Sequence, residues 1–168
     1  GPGSFSALRV GMSVAKGLAW TAGLPLVAAT TLEAEAFPYH AFPAPVCAVM
    51  DAGRGEVAWA LYQPRDGHLS LALPEAISEP AQLLASLPPS TLICGEGLER
   101  FAEAFRGASP QGTRLALPYH PGQRLVALAH LGWSRLQAGE AKDPATLQPF
   151  YLRRPTITEP PRPFTAPH

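Results

Sequence analysis

The chain reads as α/β, and three observations carry that reading. Apolar runs of strand length alternate with amphipathic stretches of helix length, and glycine or proline marks most of the joints between them. The composition, 46% hydrophobic and 15% charged over 168 residues, suits a folded core with covering helices rather than a disordered chain.

Each element follows from its local pattern. The opening Gly1-Pro2-Gly3-Ser4 is a break, read either as the scar of a cleaved tag or as a native turn in which Ser4 or Ser6 can cap a following helix. Residues 6–22 have helical spacing. Leu8, Met12, Ala15 and Ala19 form one stripe, Ala7, Gly11, Val14 and Leu18 the next, and only Arg9, Ser13 and Lys16 make a polar strip. A helix this apolar needs cover on more than one side. Gly23 suits a left-handed cap, and LPLVAAT (24–30) reads as a short buried strand. Thr30 or Thr31 can cap TLEAEAF, with Glu33 near its positive end.

Pro38, Pro43 and Pro45 make residues 38–45 a linker. Beyond it, VCAVMDAGRGEVAWALY is a hairpin turning at Gly53 and Gly55, and its first strand, apolar throughout 46–50, is expected to be buried on both faces. HLSLALPEAI is a strand, SEPAQLLASL a capped helix with proline in its first turn, and TLICGEG a strand. LERFAEAF is an amphipathic helix and TRLALP a strand. PGQRLVALAHLGWSRLQAG is a long helix with Leu125, Leu128, Ala129, Gly132 and Leu136 inward. The proline-rich run 154–168 has no periodicity and little to bury, and is expected to be an extended, solvated tail.

Charge and cysteine usage narrow the function. Thirteen basic residues balance thirteen acidic ones, so no overall positive field draws in RNA or an anionic membrane. Cys47 and Cys94 stand alone, as buried thiols of a cytoplasmic protein do. No apolar run of about 18 residues spans a bilayer, and no charged-then-apolar leader is present.

Candidate chemistry is sparse. The glycine-rich opening has the look of a phosphate cradle, but neither a P-loop Gly-Lys-Ser/Thr nor a GxGxxG accompanies it, and Pro2 removes an amide; a structural turn is the simpler reading. The five histidines show neither HxxxH nor HExxH spacing, so no catalytic zinc or iron is expected, and His130 reads as a packing or surface residue. Asp51, Arg54 and Glu56 meet around the hairpin turn, as an ion network, as solvated charge or as a turn that binds a partner. Glu96 and Glu99 flank Gly97 at a strand-to-helix junction, where ligands gather in α/β folds and where acids also stabilise a helix start. Ser4 is outside any GxSxG elbow, so a hydrolase triad has no local support.

The segment GPGSFSALRVGMSVAKGLA resembles the GPGSFTGLRIG stretch of the TsaB (YeaZ) family of tRNA threonylcarbamoyladenosine synthesis. The likeness continues in order through LPLVAATTLEA, MDAGRGEVAWALY and PFYLRRP, over nearly the whole chain, and it favours a native opening turn over a tag remnant. Ser6-Ala7 stands where the family has Thr-Gly, and Gly53 and Ala58 where it has Arg and Tyr. The resemblance implies a two-lobe, actin-like or RNase H-like fold. Residues 1–37 would be the remainder of an incomplete first lobe, since members carry further strands and a helix ahead of this motif. Residues 46–153 would be a second lobe with a mixed sheet and flanking helices. It also implies a non-catalytic subunit. A TsaD-like catalytic subunit is the expected partner, joined by a TsaE-like ATPase. ATP and metal are expected on those partners and no cofactor in this chain, with tRNA met only through the complex and a homodimer using the same surface. Leu8, Arg9, Met12, Ala15 and Lys16 are the expected interface. The competing classes are a nucleotide-binding or glycoprotease-like enzyme of the same fold, using residues 1–4 for phosphate, and an inert globular fragment with exposed apolar surface.

Overall fold

A computed structural model describes residues 1–153 apart from 66, 109 and 111. The expected tail at 154–168 lies outside the described residues. Three antiparallel strands, β1 (Val46–Gly53), β2 (Glu56–Arg65) and β3 (His68–Ser78), form a meander. Two short parallel strands, β4 (Leu92–Cys94) and β5 (Arg114–Leu115), extend the sheet on the other side of β1, in the order β3-β2-β1-β4-β5. Parallel neighbours need crossovers, and α3 (Pro80–Ser86) and α4 (Leu98–Ala108) supply them.

Centrality explains why β1 is apolar at every position from 46 to 50: both of its faces are covered. Cys47 and Val49 join Val57, Trp59 and Leu61 of β2 under Leu83 of α3 and Phe101 and Phe105 of α4. Val46, Ala48 and Met50 join Ala58, Ala60 and Tyr62 under Leu32 and Ala36 of α2 (Thr31–Ala36). Alternate residues thus feed two cores in three layers, helix on sheet on helix. The β1–β2 turn runs through Gly53, Arg54 and Gly55 at φ 74°, 58° and 80°, where glycine is the natural occupant and Arg54 is not.

Caps hold in part. The Thr30 hydroxyl accepts from the Glu33 amide at 3.1 Å, and Gly23 ends α1 (Phe5–Ala22) at φ 63°. Ser4 occupies the N-cap of α1, yet its hydroxyl makes no capping bond. Nor does α3 have a side-chain cap: Glu79 precedes Pro80, and the Ser78 hydroxyl instead accepts from Trp59 Nε1 at 3.0 Å.

Three expectations are corrected or refined. Residues 24–30 are not a strand: their one ladder contact is the antiparallel bridge between Leu26 and Lys142, because no described strand lies beside them to complete a sheet. In the expected linker, Phe37–Tyr39 winds into a 3₁₀ turn, and Tyr39 and Phe42 pack against the core. On α5 (Gly122–Gln137) only Ala127 is buried, with Arg124, Leu131, Gly132, Arg135 and Leu136 half-buried, while Leu125, Leu128 and Ala129 are exposed. Acids on α2 explain the rotation. Arg135 pairs with Glu33 at 2.6 Å and Arg124 with Glu35 at 2.8 Å, and both arginines turn inward to reach them.

Helix α1 stands largely outside these layers. Only Ala19 is buried, and Val10, Val14 and Leu18 are 65%, 57% and 67% exposed. No helix among the described residues is long and apolar enough to cross a membrane.

Candidate functional site: a strand-end cleft and an open helix face

Beyond the carboxyl ends of β1 and β4 lies a cleft of about 370 Å³, where open α/β sheets collect ligands. Gly3 and Ser4 of the opening turn, Asp51 and Glu96 of the strand ends, and Tyr151 and Arg153 of the C-terminal segment line it. The turn is tied down by the Gly1 carbonyl, which accepts from the Thr31 amide at 2.9 Å, so it anchors the start of α2.

Close backbone approach sets Glu96. The Gly97 amide donates to the Val49 carbonyl at 3.0 Å, and a Cβ on Gly95 would sit 2.4 Å from that same oxygen. With glycines pressed on β1 on either side of it, Glu96 reaches Arg124, whose guanidinium donates to it at 2.6 Å. Arg124 also donates to the Tyr119 hydroxyl at 2.7 Å, and that hydroxyl donates to Glu35 at 3.0 Å. Glu35 is 5% exposed. Burial raises its carboxyl above the ordinary value of 4.5, and Arg124 and Tyr119 pull it only part of the way back. Burial pushes the Tyr119 phenol up to about 12.

Each carboxylate at the cleft is matched to an arginine. Asp51 takes Arg100 of α4 at 2.8 Å and the Gly53 amide at 2.8 Å, which hold its carboxyl below the usual range. Glu56 takes Arg153. Asp51, Arg54 and Glu56 therefore do not pair with one another: two reach outward to different segments, and Arg54 makes no ion pair among the described residues. Glu99 is exposed in the first turn of α4, as a helix-start acid. Exposed His130 stacks on Phe37 at 6.0 Å, and no cluster of three metal-ligating side chains is present among the described residues. The network of Glu35, Tyr119 and Arg124 escaped the sequence reading. Its available signal was an arginine inside a helix otherwise striped with leucine.

On α1, the expected interface residues divide. Leu8, Met12 and Lys16 are half-buried on the side facing the chain's own C-terminal segment, where the Lys16 ammonium donates to the Leu147 carbonyl at 2.9 Å. Arg9 and Ala15 are exposed. A groove of about 320 Å³ between α1 and α5 is lined by Ala7, Gly11, Ala15, Leu26 and Leu128, nearly all apolar or small.

Strand order, strand direction and helices on both faces define an α/β chain of the RNase H-like, actin-like fold, with its strand-end cleft walled by arginine–carboxylate pairs. A sequence profile described as "TsaD: tRNA N6-adenosine threonylcarbamoyltransferase" matches residues 1–119. The chain belongs to that family, and within it to the TsaB (YeaZ) group. It is 28% identical over 156 residues to the Bacillus subtilis "tRNA threonylcarbamoyladenosine biosynthesis protein TsaB", covering 91% of this chain and 66% of that one. It is 43% identical over 65 residues to the Escherichia coli protein of the same name, covering 38% of this chain and 28% of that one. The structure "YeaZ from Pseudomonas aeruginosa" superposes with a TM-score of 0.67 at 28% identity, covering 90% of this chain and 70% of that one. The chain thus spans about two thirds of the Bacillus relative's length.

Proposed function

We propose that this chain takes part in tRNA threonylcarbamoyladenosine synthesis as a non-catalytic subunit that docks on a TsaD-like catalytic subunit through α1. The observation that carries the reading is the open face of that helix. Val10, Val14 and Leu18 recur every fourth residue as one exposed apolar stripe, and Ala7, Gly11 and Ala15 beside it are small enough for another helix to approach closely. Burying three such side chains is worth about 1.5–3 kcal/mol each, enough to anchor an interface. The names of the Bacillus and Escherichia relatives supply the pathway. In this reading ATP and metal belong to the catalytic subunit and a TsaE-like ATPase, tRNA is engaged by the assembly in the cytoplasm, and a homodimer uses the same face when the partner is absent. Residues 1–37 then carry the docking helix α1, while α2 within them and residues 38–45 pack on the sheet of the lobe 46–153.

Co-expression with a TsaD-type subunit tests this. Stable co-purification at equal stoichiometry is expected, with no turnover by the chain alone. ATP hydrolysis or peptide cleavage by the isolated chain would favour the enzyme of the same fold instead.

A further inference from the structure

The cavity on the opposite side of α1 has chemistry that the docking face lacks. It encloses about 380 Å³ and is lined by Arg9, Met12, Ser13 and Lys16 of the helix and by Leu147 and Tyr151 of the C-terminal segment. Among the described residues no carboxylate lines it. Neither Arg9 nor Lys16 forms an ion pair among the described residues, whereas every arginine at the strand-end cleft has one. In a chain with balanced charge, two uncompensated cations on one wall are a local positive field.

Their donors are also free to point at a ligand. Lys16 gives one of its three N–H groups to the Leu147 carbonyl, which fixes the ammonium in place and leaves two. The Arg9 guanidinium lies over the Phe5 ring at 5.1 Å, a contact that occupies its face and leaves the N–H edge. Phe5 in turn packs against the Tyr151 ring at 5.2 Å, so the two segments brace one another. Tyr151 contributes its ring to the wall, its hydroxyl being buried away from the cavity. Ser13 adds an exposed hydroxyl.

We propose that this cavity binds a phosphate group, held by Arg9 and Lys16 with the hydroxyl of Ser13. Phosphate offers several strong acceptor oxygens and a charge that both cations lack. The group arrives either on a small phosphorylated molecule or in a nucleic-acid backbone, and one experiment separates the two. The chain is titrated at constant ionic strength with inorganic pyrophosphate and, separately, with a short oligouridylate, following heat and the phosphorus resonance. Saturable binding is expected. Arg9→Gln and Lys16→Gln should each weaken it about tenfold, while Lys16→Arg should retain most of it. Val14→Asp, on the other side of the helix, should leave it unchanged, so this result is independent of the docking reading. Pyrophosphate binding as tightly as the oligonucleotide would identify a small phosphorylated ligand, and a clear preference for the oligonucleotide would identify the backbone. Unsaturable uptake by the unaltered chain, or binding that survives in the folded Arg9→Gln, Lys16→Gln double variant, overturns the proposal.

Discussion

A methyl group on Gly95 has nowhere to go. The residue sits at φ 103°, a conformation L side chains rarely adopt, and its Cβ would lie 2.4 Å from the Val49 carbonyl oxygen. Gly53 shares the positive φ, at 74°, but faces open space. Gly95→Ala should therefore cost about 2–3 kcal/mol or more and Gly53→Ala about 1 kcal/mol, measured by urea unfolding; equal costs would contradict the close packing of this loop on β1. Glu35 gives a prediction in pH. Its carboxyl titrates higher in the folded chain than the ordinary 4.5, so the folded state holds the proton more tightly than the unfolded one. That contribution to stability is complete below about pH 4.5 and is lost as pH rises through the raised value. Glu35→Gln should remove this slope, and the difference in unfolding free energy between the two proteins should change above pH 4.5 and flatten below it. The expected strand TLICGEG ends at Cys94, because Gly95 takes a positive φ and turns the chain back onto β1. The inward course of Glu35 could not be read from sequence, because it depends on Arg124 and Tyr119, distant in the chain, and a charged residue in isolation reads as solvated.

At the scale of elements, the two long helices show what periodicity can and cannot tell. The span and left-handed ending of α1 were legible, as was its excess of apolar surface, because spacing and Gly23 are local signals. Which stripe faces the body was not legible on α5, where the leucines lost to the arginines that pair with α2. The sheet failed similarly at 24–30, since an apolar run becomes a strand only where a neighbour supplies the ladder. Packing thus predicts unequal costs along α5. Leu125→Lys, at a site 72% exposed, should shift stability by no more than about 0.5 kcal/mol. Ala127→Leu, at a site 1% exposed, should cost about 1–3 kcal/mol through overpacking, and denaturation midpoints would show the reverse order if Leu125 faced inward.

Across the described residues, two cores lie on either side of β1, and α1 lies largely outside both. In the proposed reading that open helix face is where another protein binds. The most direct test is the affinity of the chain for a TsaD-type subunit when the outer face of α1 is charged. With Val14→Asp and Leu18→Asp together, binding should fall by about 100-fold or more while the circular dichroism and unfolding midpoint of the isolated chain stay as they were. Undiminished affinity in that folded double variant would show that the helix face is not where the partner binds.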